Sequence, residues 1–287
     1  MDHLVTGIAD AKFRIVAITG KDTVEVARQR HNLSHTATAA VGRVLLGAGL
    51  LASSFKSKQE RILLQFRGDG PISPILAVAD RNVSVKGYCE YPHVELDLSS
   101  QGKLDVGKAV GKGMLYVVRE RDNYEPYTGS VPIQTGEIGD DLAYYLQISE
   151  QVPSAVGLGV LVDGSGFVRS AAGILVQVFP GVSEEDIVKL EEKLMNLGSI
   201  SHRFDTGETP ESLLNDLFPH WNKLEERPLT FDCDCSKDRF SRGLISLGKD
   251  ELTDLIKKHE PVETVCRFCN EKYLFSIKEI EELLKKA

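Results

Sequence analysis

Residues 231–236 read FDCDCS and residues 264–270 read TVCRFCN, so four of the five cysteines of the chain lie in two short pairs. In an extended strand the side chains at i and i+2 share a face, so Cys233 and Cys235 can bind one ion together. Cys266 and Cys269 have the spacing of a zinc knuckle. Four thiolates favour a soft, tetrahedral ion. The sequence therefore predicts one Zn²⁺ per chain, bound by these four cysteines.

Two interpretations of this zinc site are open. A closed four-cysteine site is usually structural and holds a small domain together. The alternative is a redox switch, because oxidised thiolates form sulfenic acids that condense with a neighbouring thiol. Four basic residues flank the ligands and can favour thiolate: Lys237, Arg239, Arg267 and Lys272.

The expected stability of the cysteine domain favours the switch. Structural zinc is worth about 10–16 kcal/mol in finger-sized domains, which exceeds the whole stability of a typical domain. The segment from about Leu229 to Ala287 is short for an independent core. Oxidation is therefore expected to eject zinc and unfold this domain.

Length and composition limit the remaining possibilities. A chain of 287 residues with 42% hydrophobic content can bury a sizeable core and is expected to hold two domains. Its net charge of -8 argues against a nucleic-acid partner bound through its phosphate groups. Residues 1–20 lack the pattern of a secretory signal, and no uninterrupted apolar run is long enough to span a bilayer. A reducing cytoplasm is expected, because metal-bound thiolates persist there.

Residues 1–180 are predicted to form one α+β core domain. Three strand-like runs between Arg61 and Glu90, separated by turn signals, predict an antiparallel meander. Ser34 can cap a long central helix, preceded by a first helix capped by Asp22. A helix opening at Thr135 or Gly136 and a further β-hairpin complete the domain.

Residues 181–230 are predicted to be a helical linker that must dock on another surface, because they have too little apolar area to fold alone. Ser183 and Thr209 can cap its helices. Residues 231–287 are predicted to be the zinc domain, with a strand LTFDCDC from Leu229 to Cys235, two helices, the knuckle, a second strand and a final helix capped by Ser276.

Other candidate sites are weaker. His31 and His35 can share a metal on a helix, but two surface histidines is the preferred interpretation, because no HExxH pattern is present. Asp140 and Asp141 lie in the first turn of a predicted helix, where carboxylates complement the helix dipole. Because they are adjacent, their side chains point in different directions and cannot act as an acid/base pair. Cys89 has the pattern of a buried, inert residue.

No catalytic chemistry beyond thiol redox is indicated, and the chain is not expected to be an enzyme. No nucleophile elbow or assignable triad is present. A closed zinc tetrahedron does not suit hydrolysis. A thiol oxidoreductase using Cys266 and Cys269 is discounted, because the preceding pattern is not the βαβ unit of such enzymes.

Several longer stretches resemble one known family. FDCDCSKDRF (231–240), LISLGKDEL (244–252) and ETVCRFCNEKYLFSIKEIEELL (263–284) resemble the C-terminal zinc domain of the redox-regulated bacterial chaperones called the 33-kilodalton heat-shock proteins. Residues 127–162 and 171–181 resemble the core domain of the same family. The likeness spans nearly the whole chain and includes all four cysteines.

This resemblance implies an ATP-independent holdase for unfolding client proteins, inactive while reduced and zinc-bound. Oxidant together with unfolding stress would pair Cys233 with Cys235 and Cys266 with Cys269, release zinc, and unfold the zinc domain and linker. The active form would be a homodimer. The alternative that remains open is a protein-interaction or regulatory module with a static zinc site.

Overall fold

A computed structural model describes residues 1–100, 102–121 and 124–287. These residues divide into two compact units, Met1–Asp232 and Cys233–Ala287. The strands are β1 (His3–Ala9), β2 (Phe13–Thr19), β3 (Arg61–Gly68), β4 (Ile75–Asp80), β5 (Ser84–Cys89), β6 (Gly113–Glu120), β7 (Tyr127–Pro132), β8 (Ser154–Val162), β9 (Val168–Val178), β10 (Trp221–Pro228), β11 (Thr230–Phe231), β12 (Val262–Val265) and β13 (Lys272–Phe275). The helices are α1 (Lys21–His31), α2 (His35–Ala52), α3 (Val106–Val110), α4 (Gly139–Ile148), α5 (Glu184–Met195), α6 (Ile200–Asp205), α7 (Pro210–Leu217), α8 (Lys237–Ile245), α9 (Lys249–Lys257) and α10 (Ile277–Leu284).

The first unit contains two sheets. The five-stranded sheet has the order β10-β1-β2-β9-β8 and is antiparallel throughout. The six-stranded sheet has the order β11-β5-β4-β3-β6-β7, with β11 parallel to β5 and the other pairs antiparallel. The predicted meander is β3, β4 and β5, and the mixed α+β architecture is confirmed.

Helix α2 is the core of the first unit and contacts strands of both sheets. Ser34 caps it as predicted, since its Oγ accepts from the backbone N–H of Ala37. Small residues let its neighbours approach: a Cβ at Gly47 would lie 2.5 Å from Leu142 Cδ1, and one at Gly42 would lie 2.7 Å from Val24 Cγ1. By length and hydropathy α2 could cross a bilayer, but 89% of it is buried inside the unit. It is the core helix of a folded domain.

Helices α5, α6 and α7 cover the outer face of the five-stranded sheet. Their buried apolar residues form one cluster with those of the sheet. The sheet contributes Val5, Ala9, Phe13, Ile15, Ala17, Ala172, Ile174 and Val176, and the helical segment contributes Leu190, Leu197, Ile200, Leu213, Leu214, Leu217 and Phe218. The stretch 181–230 thus docks through an apolar face, and Ser183 and Thr209 cap α5 and α7 as predicted.

The end of this stretch is a strand, whereas the sequence suggested only helices and polar linker. Strand β10 pairs with β1 along its length, from Trp221 opposite Ala9 to Pro228 opposite His3. Its alternation is hard to recognise because the apolar Leu224 is 60% exposed, while the charged Arg227 is 6% exposed. The Arg227 guanidinium donates to backbone carbonyls that follow α2 and β4. These residues form a strand because their backbone pairs with β1 at the edge of the sheet.

Five further elements differ from expectation. Strands β1 and β7 and the short helix α3 were not predicted. Asp22 lies inside the first turn of α1 and does not cap it, because the cap is Gly20. Helix α4 begins at Gly139 and not at Thr135 or Gly136.

The reason for the late start of α4 is Asp141, which is fully buried. Its carboxylate accepts from the backbone N–H groups of Gln134, Thr135 and Ile138 at 2.6, 3.1 and 3.1 Å. These bonds fold the preceding residues into a loop over the helix N-terminus. Negative charge there also complements the helix dipole.

We expect Asp141→Ala to lower the free energy of unfolding of the first unit by roughly 2–4 kcal/mol, because three N–H groups lose their acceptor. Thermal unfolding of the full chain measures this. The matched control is Asp140→Ala at the neighbouring, exposed carboxylate. Equal melting temperatures for the two variants would contradict the role given to Asp141.

The second unit is small. Helices α8, α9 and α10 and the hairpin β12–β13 enclose a cluster of five buried residues: Leu244, Leu252, Phe275, Ile280 and Leu283. The predicted cap of α10 is present, as Ser276 Oγ accepts from the N–H of Glu279, whose carboxylate accepts from the N–H of Ser276. Its buried apolar cluster is much smaller than that of the first unit.

Candidate metal centre

Cys266 and Cys269 lie in the tight loop of the hairpin β12–β13. The N–H of Asn270 donates to the carbonyl of Cys266 at 2.7 Å, and the N–H of Cys266 donates to the carbonyl of Glu271 at 2.9 Å. Asn270 takes the left-handed conformation that such a turn requires (φ 59°). Both cysteines are buried, at 6% and 3% exposure. This is the predicted knuckle, and it presents two sulfurs from one rigid turn.

Cys233 and Cys235 reach the centre from a different local structure than predicted. The expected strand from Leu229 to Cys235 is limited to β11, which ends at Phe231. Both cysteines lie in an irregular segment that leads into α8, where Ser236 caps the helix by accepting from the N–H of Arg239 at 3.2 Å. Beyond β11 the cysteines face the knuckle and not a sheet neighbour. The prediction that Cys233 and Cys235 can reach the same ion agrees with the structure, but the strand on which that prediction rested ends at Phe231.

All four sulfurs lie within 4.8 Å of one another. Cys233 Sγ is 3.8 Å from Cys266 Sγ, and Cys235 Sγ is 3.4 Å from Cys269 Sγ. A tetrahedral ion with zinc–sulfur bonds of ~2.3 Å needs sulfurs about 3.8 Å apart. The cluster therefore has the donor atoms and spacing for one tetrahedral ion, and soft sulfur donors suit zinc.

The hydroxyl of Tyr273 also faces this cluster, at 3.1 Å from Cys235 Sγ. Burial opposes ionisation of Cys235, but hydrogen bonds from Tyr273 and the other cysteines outweigh it, so the pKa of this thiol lies below its usual value. Burial raises the pKa of Cys269, and its contacts with the other sulfurs raise it further. Metal binding requires thiolates, so an ion bound here would displace the protons that these sulfurs still carry.

Three of the four flanking cations are paired with carboxylates. Lys237 pairs with the carboxylate of Glu279 at 2.5 Å, and Arg239 pairs with Asp234 at 3.3 Å. Lys272 pairs with Glu263 at 3.0 Å. These partners neutralise much of the positive charge. Tyr273, which sequence reasoning missed, contacts the Cys235 sulfur directly through its side chain; its position in the strand after the knuckle was the available signal.

The remaining candidates do not form a second centre of this kind. Cys89 is buried, and burial raises the pKa of its thiol to about 12, as expected for an inert residue. His31 and His35 are half-buried, and neither belongs to a group of potential metal ligands in the part of the chain that the structure describes.

A second group of potential ligands, not predicted, consists of His3, Glu211 and Glu226. The ammonium group of Lys223 lies 3.0 Å from one carboxylate and 2.6 Å from the other. A cation is already present there, so this group is an ion-pair network that joins α7 to β1 and β10.

The comparisons with known proteins agree with this architecture. Residues 2–276 match the family model described as Hsp33 protein. The chain belongs to the Hsp33 family. A 33 kDa chaperonin of Caldanaerobacter subterraneus subsp. tengcongensis is 46% identical over 94% of this chain and 93% of its own length. One from Bacillus velezensis is 43% identical over 99% and 98% of the two chains.

A solved structure of this Hsp33 family also matches. The crystal structure of the 33 kDa chaperonin from Thermotoga maritima superposes with a TM-score of 0.93 at 39% identity, covering 99% of this chain and 98% of the other. Membership of the family gives the chain a chaperone role, and its four clustered cysteines are compatible with zinc binding and redox chemistry.

Proposed function

We propose that the chain is a redox-regulated, ATP-independent holdase that protects unfolding proteins from aggregation under oxidative and heat stress. Reduced and zinc-bound, it is inactive. Disulfide formation, zinc release and unfolding of residues 231–287, together with the linker 181–230, activate it. The observation that carries this proposal is the cluster of four sulfurs, at Cys233, Cys235, Cys266 and Cys269, in a unit with a small core.

Zinc bound there would cross-link the segment before α8 to the β12–β13 hairpin. In each cysteine pair, one thiolate attacks a peroxide oxygen and forms a sulfenic acid, and hydroxide leaves. The neighbouring thiolate then attacks that sulfur, and a second hydroxide leaves as the disulfide forms. Two protons convert the hydroxides to water, so each pair gives up two electrons and consumes one peroxide.

The pairing of the disulfides decides whether oxidation opens the unit. Cross-pairs such as Cys233 with Cys266 would close a loop of 33 residues and stabilise the fold by about 3–4 kcal/mol. The proposed pairs, Cys233 with Cys235 and Cys266 with Cys269, close only very short loops and leave the two segments unconnected. Only the second pattern removes the cross-link that zinc provides.

We therefore expect non-reducing peptide mapping after peroxide treatment under mild heat to recover disulfides within each pair. A protease that cleaves after lysine cuts at Lys237 and Lys258 but not within either pair, so the bridged cysteines of each pair are found in a single peptide. Recovery of crosslinked peptides that join the two segments would contradict the proposed opening.

Binding of clients without ATP requires an apolar surface that the inactive state covers. The outer face of the five-stranded sheet, with Phe13, Ile15 and Val176 among its buried residues, lies beneath α5, α6 and α7. Release of these helices would expose that face to unfolding proteins, which present apolar segments of their own. The released segment, once unfolded, can adapt to several partners.

The remaining parts of the proposal concern setting and assembly. A reducing cytoplasm preserves the thiolates until stress arrives. The active form is proposed to be a homodimer, with no nucleic-acid or membrane partner and no catalytic activity. The net charge of -8 supports the exclusion of nucleic acid.

The decisive test is light scattering from a chemically unfolded client diluted into the reduced zinc form or into protein treated with peroxide under mild heat. We expect only the oxidised sample to suppress aggregation, with one equivalent of zinc released per chain. If both samples fail and zinc stays bound, the centre is a static structural site and the interaction-module alternative replaces the proposal.

A further inference from the structure

Tyr273 lies on β13 and places its hydroxyl 3.1 Å from Cys235 Sγ. A metal-bound thiolate carries no proton, so in the loaded centre the phenol must be the donor. We propose that Tyr273 is a positioning residue of the centre: it donates a hydrogen bond to the Cys235 sulfur, strengthens metal binding, and slows attack by that sulfur on oxidants. This inference rests on the proposed function.

Tyr273 is held both at its backbone and at its ring. On the strand side, Tyr273 pairs with Thr264 of β12, whose hydroxyl donates to the Tyr273 carbonyl at 3.3 Å. On the other side, the ring of Phe240, from α8, lies 5.1 Å away between centroids. Both contacts involve the ring or backbone and not the hydroxyl. The hydroxyl is therefore placed at Cys235 by structure that a phenylalanine would keep.

The sulfur that receives this bond belongs to the cysteine pair that no strand or hairpin turn holds in place. Cys266 and Cys269 are fixed by the hydrogen-bonded turn of the hairpin, whereas Cys235 lies in an irregular segment outside any strand. The hydroxyl joins that segment to β13 within the second unit. Outer-shell partners of this kind are worth roughly 10- to 100-fold in metal affinity.

The same bond affects reactivity. A hydrogen bond draws electron density from the thiolate, so the sulfur becomes a poorer nucleophile. In alkylation by iodoacetamide, the Cys235 sulfur forms a bond to carbon and iodide leaves. Loss of the donated bond should therefore speed alkylation of Cys235 in the zinc-loaded protein.

The test is Tyr273→Phe in the full chain, with Tyr91→Phe at an exposed tyrosine of the first unit as control. We expect the variant to bind one zinc with 10- to 100-fold lower affinity in chelator competition. We also expect its Cys235 to be alkylated faster, measured by mass spectrometry. With cobalt(II) in place of zinc, the thiolate-to-cobalt charge-transfer band should move to longer wavelength, because the sulfur lone pair rises in energy.

The cobalt band separates hydrogen bonding from packing, since the ring contact with Phe240 survives in the variant. Parent-like affinity and an unmoved band in Tyr273→Phe would overturn the inference while leaving the centre intact. If the unaltered chain binds neither zinc nor cobalt, the proposed function itself fails, and the inference fails with it. The two failures are thus distinguishable.

Discussion

Replacement of Cys269 by serine should leave the chain with far less than one equivalent of zinc and a protease-sensitive second unit before any oxidant is added. Cores of domains below about 70–80 residues rarely supply more than 3–5 kcal/mol, whereas structural zinc is worth ~10–16 kcal/mol. The five buried residues of the cluster around Phe275 cannot replace that contribution. Loss of one of four ligands therefore unfolds the unit Cys233–Ala287.

Limited proteolysis with zinc analysis measures both effects in one sample. Cleavage is expected after Asp232 but not within the first unit, which has its own core around α2. The matched control is Cys89→Ala, which removes the fifth thiol, buried in the first unit. Full zinc content and unchanged resistance in Cys269→Ser would defeat the ligand assignment, and zinc loss in Cys89→Ala would show that the effect is not specific.

Substitution of Leu214 by glutamate should activate the protein while zinc stays bound. Leu214 is fully buried between α7 and the five-stranded sheet. Truncation of such a leucine alone costs about 2–5 kcal/mol, and an unpaired carboxylate adds several kcal/mol of desolvation. Short helices such as α7 have little stability apart from their packing. We expect α7 to leave the sheet and expose the apolar face beneath it.

Binding of a hydrophobic dye and suppression of client aggregation by the reduced variant would report this exposure. The control is Asn215→Asp, which adds the same charge one residue later on the exposed side of α7 and keeps an acceptor for the indole N–H of Trp221. If Leu214→Glu exposes the face but the reduced protein still fails to hold clients, this surface is not the binding site.

The sequence predicted those features that depend on local chemistry. The caps at Ser34, Ser183, Thr209 and Ser276 follow from side chains that satisfy nearby backbone N–H groups, and all four are present. The cysteine spacing predicted the two local pairs, because each pair is confined to a few residues, and the preference of a soft tetrahedral ion for four sulfurs predicted that the pairs meet. The four sulfurs do lie together.

Features that depend on distant partners were not predictable in this way. Strand β10 exists because the edge of β1 is available, which no pattern in NKLEERP indicates. Asp141 delays α4 by binding N–H groups of the preceding loop, so a plausible helix start at Thr135 becomes part of that loop. Tyr273 reads as an ordinary strand residue until the knuckle and the Cys233–Cys235 segment are seen together.

The segment α5–α7 begins after Val178 in β9 and ends at Trp221 in β10, and both strands belong to the five-stranded sheet. While those strands stay paired, the helices are a closed loop whose two ends cannot drift away. Helices α5–α7 then return to the face of the five-stranded sheet in a first-order step within one molecule. The short tethers give the helices a high effective concentration near that face. This applies to the first stage of opening, before β10, which is the end of the linker, unfolds; at that stage a bound client competes with the chain's own helices for the sheet face.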